Sequence, residues 1–414
     1  MRIIESSNRR ELDAYLAHTP ARDPAVLRQA ARIVARVRDE GDRALRAYAR
    51  RFDGVNALVV ADRSVMRDEA AKVAPRVRRA LAAAARNIRR VAARQVPKGW
   101  VAEPARGVRV EQRVIPLERV GCYVPGGRFP LPSSLLMTAI PAAEAGVKDI
   151  IAVCPRPDDT VMCAALEAGV TRLVKIGGAH AIAALAYGTR TVPRVDKIVG
   201  PGNAYVSAAK SLVSADCAID FFAGPSEILV LSATGRAAWI AADLIAQAEH
   251  DGRARALLIT PKRALAIAVL QSLSQQLESN PHAREALASS GAIIVTSSLE
   301  EAIAIAQRVA PEHAVWDTAD VARRLMRAGT VFVGGLSAQA CGDYATGSNH
   351  VLPTSGAARF RGGLSAADFV RVTSIQRLTR EGLRTIGDTA VTLAEAEGLH
   401  GHARSIRMRL GGVA

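Results

Sequence analysis

Eight histidines, His18, His180, His250, His282, His313, His350, His400 and His402, are spread along the chain, most of them beside other polar residues at junctions between predicted elements. Glu312 and His313 follow Pro311 as an adjacent pair. A neutral imidazole accepts an alcohol proton near pH 7 and a carboxylate activates water, so the two types together suit acid and base work. A capped helix start or a surface charge would leave the same two letters. Gln247 and His250 stand three apart in AADLIAQAEH, which places them on one helix face. Asp343 and His350 fall in the glycine-punctuated stretch GDYATGSNHVLPT, and His402 in HGH near the C-terminus. Nitrogen and oxygen donors without thiolate suit zinc, or another borderline first-row metal, with positions left for substrate. A Gln-x-x-His pair alone does not establish a metal.

Three glycine turns, Pro125-Gly126-Gly127, Gly177-Gly178 and Gly200-Pro201-Gly202-Asn203, each follow a predicted strand and precede a predicted helix. Backbone N–H groups at such turns can approach a phosphate. None completes G-x-G-x-x-G, and tight turns use glycine for conformational reasons in any case. Cys122, Cys154, Cys163, Cys217 and Cys341 form no C-x-x-C pair and are odd in number, which reads as buried, reduced thiols and not as a disulfide framework or a zinc cluster.

The elements that must position these groups come in two series. Asp23 as N-cap and Pro24 open a first helix with Val26, Ala30, Ile33 and Val37 on one face, and residues 66 to 96 continue in helical style. From Val108 short β-branched runs alternate with helical segments: strand 119–124, helix 133–145, strand 148–154, helix 160–168, strand 172–176. A second series has EILVLSA, LLIT, AIIVTS and TVFVG as strands with helices such as AAWIAADLIAQAEH between them. The pattern predicts an α/β protein of two incomplete Rossmann-like open parallel-sheet lobes, with ligands beyond the carboxyl ends of the strands. The expected division is residues 1–22 as an N-terminal helical segment, 23–118 with 228–363 as the larger lobe, 119–227 as the second lobe, and 364–414 as a helical arm. The arm is too small for its own core and suits exchange with a second subunit.

A chain of 414 residues with 49% hydrophobic content is long enough for such a multi-lobed protein. The N-terminus lacks the apolar run of a signal peptide and no charge-free run of 18 apolar residues occurs, so no membrane is expected and the cytoplasm is the expected location. The net charge of +16 comes largely from arginines in Ala-rich helical stretches, and aromatics are only 4% of the chain, which disfavours a nucleic-acid partner.

The segments GCYVPGGRFPLPSSLLMTAIPAAEAGV, KIGGAHAIAALAYGT, VDKIVGPGNAYVSAAK, AIDFFAGPSEILV, DLIAQAEH, VAPEH, GDYATGSNHVLPT and GLSAADFVRVTSIQRLT together resemble the histidinol dehydrogenase family, in that family's order and over nearly the whole chain. The resemblance implies that Gln247, His250 and Asp343 bind one zinc ion per subunit, with His402 supplied by the partner subunit's arm in a homodimer. It implies Glu312 and His313 as the catalytic acid and base pair. Ser226, His350 and Glu397 match substrate-contacting positions, joined at the substrate by His313 and the four zinc ligands, and Tyr123, His180 and Asn203 fall at NAD-contacting ones. Three departures stand out: His180 where glutamine is frequent, Gln339 where an acidic residue is common, and Arg128-Phe129 where smaller residues follow PGG.

The chemistry so implied is oxidation of the small amino alcohol L-histidinol to L-histidine by two hydride transfers to NAD, through an enzyme-held aldehyde and with one water. Zinc would fix the substrate's amino and imidazole nitrogens. His313 would take the hydroxyl proton and Glu312 would activate the water, with no thiohemiacetal on cysteine. A paralogous NAD-dependent dehydrogenase acting on another small polar alcohol, such as a sulfonated diol, is the alternative, and a non-catalytic binding protein the third choice.

Overall fold

The computed structural model describes residues 1–17, 23–126, 131–222, 224–250, 252–277, 280–324 and 327–411, residue 322 by its backbone alone. His18, Gly127 and the Arg128-Phe129 pair lie outside the described residues.

Two six-stranded sheets carry the molecule. In the first, the order is Arg2–Glu5, Ala292–Val295, Arg255–Thr260, Glu227–Leu231, His313–Trp316, Thr330–Val333, all parallel. In the second it is Val60–Asp62, Arg172–Val174, Asp149–Val153, Arg119–Tyr123, Lys197–Val199, Ala218–Ile219, parallel except for the antiparallel edge strand Val60–Asp62. Strands covered on both faces need apolar residues on both, and Glu227-Ile-Leu-Val-Leu231 is buried throughout for that reason. The helices Pro132–Glu144, Asp159–Glu167 and Ala237–Ala248 lie where the hydrophobic periodicity puts them. Asp23 caps the Pro24–Glu40 helix by accepting from the Ala25 N–H, and Ala30, Ile33 and Val37 form its buried face.

Three expectations need correction. Residues 1–22 were expected to be helical, but Arg2–Glu5 is an edge strand of the first sheet, followed by the Arg9–Ala17 helix. A four-residue strand has no periodicity long enough to show. Residues 23–118 were expected to join 228–363. Instead the Pro24–Glu40 helix packs with helices Gly178–Tyr187 and Ala204–Val213, and Pro75–Gln95 with Pro132–Glu144 and Asp159–Glu167, so both cover the second sheet. An amphipathic helix announces its apolar face but not which sheet that face will meet.

The third correction concerns the C-terminal region. Val370–Leu378 is a strand, not a helix, and pairs antiparallel with Val108–Pro116, itself paired with Trp100–Ala105. Its β-branched Val370, Val372, Thr373 and Ile375 favour that choice once a partner strand is available. The arm proper comprises helices Arg380–Ala396 and His400–Arg409, packed on each other and on this small sheet. Their joint core is only Val391, Ala394 and Ala403 with Ile406 against it, while Leu393 is 59% and Met408 54% exposed.

Candidate active site

The site is built around a strand that the sequence reading missed. His313–Trp316 lies in the first sheet between Glu227–Leu231 and the edge strand Thr330–Val333, with Ile228 opposite His313. His313 is thus the first residue of a buried interior strand, and Glu312 the residue before it; both are buried. A four-residue strand after a proline gives too short a signal to separate from a helix start.

One residue serves both groups through its backbone. The Glu227 N–H donates to Glu312 Oε2 at 2.7 Å, and the Glu227 carbonyl lies 3.1 Å from His313 Nδ1. Since a carbonyl only accepts, Nδ1 carries the hydrogen and Nε2 is left with a free lone pair. Nε2 is buried and has no hydrogen-bond partner; Asp343 Oδ1 is 3.8 Å away. Burial lowers the His313 pKa to about 4, against the opposing pull of the Asp343 charge, so the imidazole is neutral at pH 7. Burial pushes the Glu312 carboxyl well above its ordinary value, and the charges of Glu227 and Asp343 add to this, while the Glu227 N–H and Ser226 side chain act against it.

Asp343 is carried by the short Gln339–Tyr344 helix, which packs on Ala237–Ala248, the helix that ends beside His250. Gln339 Nε2 donates to Asp343 Oδ2 at 2.9 Å. His350 lies next to this group: its Nδ1 is 3.0 Å from the Asp343 carbonyl and its Nε2 is 3.4 Å from Ser134 Oγ. Burial lowers the His350 pKa as well. His250 is exposed, yet close enough to disfavour protonation of both His313 and His350. The structure therefore brings together Ser226, His250, Glu312, His313, Asp343 and His350, with Gln247 one turn from His250. Glu227, Ser134 and the side-chain role of Gln339 are additions. The GPSE segment containing Glu227 carried a signal, since a glutamate opening an apolar strand needs a reason to be there.

Gln247 is 1% exposed, and neither atom of its amide has a hydrogen-bond partner. A buried unsatisfied amide costs about 1–3 kcal/mol. Such a group, one turn from His250 on a helix that packs against the one carrying Asp343, fits the donor set of a zinc ion that takes one more ligand from elsewhere. Among the described residues no three His, Cys, Asp or Glu side chains gather as a cage within this chain. Glu397 and His402 are exposed on the arm.

The expected cofactor positions lie at the carboxyl ends of the second sheet. Tyr123 is buried, its hydroxyl accepting from the Gly178 N–H at 3.1 Å, and burial raises its pKa to about 12. Asn203 caps the Ala204–Val213 helix, its Oδ1 accepting from the N–H groups of Tyr205 and Val206. His180 is 1% exposed, with Nε2 2.8 Å from Asp53 Oδ2, and Asp53 also accepts from the Gly177 N–H. The glycine-turn N–H groups at 177 and 178 are thus engaged by protein groups and are not free for a phosphate.

The model of the histidinol dehydrogenase family matches residues 17–410. The chain belongs to the histidinol dehydrogenase family. It is 47% identical over 392 residues to the histidinol dehydrogenase of Geobacillus kaustophilus, covering 91% of this chain and 92% of that one. The histidinol dehydrogenase of Methanothermobacter thermautotrophicus is 44% identical, with 93% of each chain covered. The crystal structure of histidinol dehydrogenase from Elizabethkingia anophelis superposes with a TM-score of 0.94 at 32% identity, over 99% of this chain and 98% of that one. Histidinol dehydrogenase membership makes the chain an oxidoreductase.

Proposed function

We propose that the chain oxidises L-histidinol to L-histidine, in two hydride transfers through a retained histidinal, as a step of histidine biosynthesis in the cytoplasm. The observation that carries this reading is the tautomer of His313: Nδ1 is committed to the Glu227 carbonyl, and Nε2 is a buried, unpartnered acceptor facing Asp343. No helix among the described residues is long and apolar enough to cross a membrane.

The residues divide the work. His313 Nε2 accepts the carbinol proton as the first hydride leaves, and burial keeps it neutral and ready to do so. Glu312, once ionised, takes a proton from the water that adds to the aldehyde; the burial that delays its ionisation also strengthens it as a base. Ser226, His350 and Glu397 orient the substrate. Tyr123 and Asn203 hold NAD, and His180, buried against Asp53, supports that surface from behind. When bound, NAD supplies the hydride acceptor, and zinc supplies a Lewis acid that anchors the substrate's nitrogens. Gln247, His250 and Asp343 would hold that zinc, with His402 of the partner subunit as fourth ligand. The exposed Glu397 and His402, on an arm with a core of a few small residues, support a site completed across a homodimer. The buried state of Cys122, Cys154, Cys163 and Cys217 supports a route without a thiol nucleophile.

Counting NADH per histidinol consumed tests the proposal. Two NADH with no free aldehyde are expected; one NADH with aldehyde accumulating in solution would sink it.

A further inference from the structure

Lys210 and Asp220 form an ion pair almost without solvent, 3% and 2% exposed. Neither belongs to the acid and base pair or to the candidate metal ligands. Such a pair is an unreliable source of stability, because the cost of taking two charges out of water offsets their attraction. Its geometry suggests what it does instead. Both partners grip the same residue, one on each of its two peptide groups: Asp220 Oδ2 accepts from the Gly200 N–H at 2.8 Å, and Lys210 Nζ donates to the Gly200 carbonyl at 3.0 Å.

Gly200 is the residue where strand Lys197–Val199 becomes the turn that carries Asn203. Its φ of +117° is open to glycine, and a Cβ there would stand 2.2 Å from the Tyr123 carbonyl oxygen. The turn is therefore pressed against Tyr123 and held from both sides. Asp220 is also tied into the crossing to the other sheet. Its Oδ1 accepts from the Phe221 N–H at 2.6 Å, its carbonyl accepts from Arg361, and the Arg361 guanidinium lies 4.6 Å from the Phe221 ring centroid. Ser226 and Glu227 follow a few residues further along the chain.

We infer that Lys210 and Asp220 are positioning residues that hold the Gly200–Asn203 turn in register with Tyr123 and with the crossing to the catalytic strand, and so set the affinity for NAD. The inference rests on the reading that places NAD at Tyr123 and Asn203. A loop displaced by an ångström loses correctly aimed contacts even when its own residues are unchanged.

Lys210→Met, Asp220→Asn and the double variant separate positioning from structure. Each single variant leaves a buried charge without its partner and is expected to lower Tm; the double variant removes both charges and recovers most of the loss. In all three, the dissociation constant for NAD, measured by calorimetry, is expected to rise roughly tenfold. The KM for histidinol at saturating NAD should stay within about twofold of the unsubstituted chain. The double variant decides the matter, because it regains charge balance but not the donor to the Gly200 carbonyl. Wild-type NAD affinity in the double variant, or in any single variant that folds, overturns the inference, and if the single variants do not fold the double variant is read alone. Amide exchange of residues 200–206 in the unsubstituted chain, with and without NAD, tests the location separately. Lack of protection there rejects the NAD placement and this inference with it. Protection combined with unchanged affinity in the variants rejects the inference alone.

Discussion

His313 donates its Nδ1 hydrogen to the carbonyl of Glu227 across 3.1 Å, and that bond leaves Nε2 as the ring nitrogen with a free lone pair. The preceding peptide group, through the Glu227 N–H, holds Glu312. A single strand start thus orients both members of the pair, and shifting it would disturb both at once.

Replacing His313 with asparagine removes the proposed base and is expected to slow histidinol oxidation by on the order of a hundredfold or more. Glu312→Gln should impair oxidation of supplied histidinal more than of histidinol. Steady-state rates with each substrate check this, and equal losses in both half-reactions would reject the division of labour.

His250→Ala deletes one of three candidate zinc ligands on this chain. After chelation, reloading and dialysis, the variant is expected to retain far less than one zinc per chain, with activity lost in parallel. A variant that keeps one tightly bound zinc and full activity would show that the helix ending at His250 does not hold the metal.

Mixing His250→Ala and His402→Ala chains tests the shared site. Each is expected to be inactive alone. If one site draws on both chains, a mixed dimer contains one doubly damaged and one intact site, so random pairing should restore roughly a quarter of normal activity. Subunit exchange proven by mass, without any recovery, would place each site within one chain.

Asp243, on the Ala237–Ala248 helix, has its pKa raised to about 6 by burial, against the lowering effect of the Gln339 N–H. Its folded value lies above its unfolded one, so the unfolded chain releases the proton first as pH rises. The stability present below about pH 4 is therefore lost progressively up to about pH 6. Asp243→Asn removes this loss. Denaturant unfolding at pH 4.5 and pH 8 should show the variant gaining about 1–2 kcal/mol relative to the parent between the two, after allowance for partial exposure. A pH-independent difference would contradict the burial argument.

Burial raises the thiols of Cys122, Cys154 and Cys217 to about 12, and that of Cys163 in the same direction, while Cys341 is exposed. The sequence reading placed all five inside; Cys341 differs because its short helix lies at the surface. Iodoacetamide at pH 8 is expected to label the native protein at Cys341 alone among the five. Peptide mapping that finds a second rapidly labelled cysteine would contradict the structure.

Much of this protein follows from local pattern. The strands at 119–123, 149–153 and 172–174, the helices between them and the Asp23 cap are set by side-chain period and by turn chemistry within a dozen residues. The candidate ligands and the acid and base pair are equally visible as residue types in motifs. What tertiary structure alone decided is where those motifs meet and what each atom does there. Val370–Leu378 becomes a strand because Val108–Pro116, more than 250 residues earlier, offers it an edge. His313 became the residue with a free Nε2 because a strand residue 86 positions earlier presents a carbonyl to its other nitrogen. His180 turned inward because Asp53 was there to receive it. Pairings of this kind depend on distance in space and on the desolvation that packing imposes, neither of which is encoded in the spacing of residues along the chain.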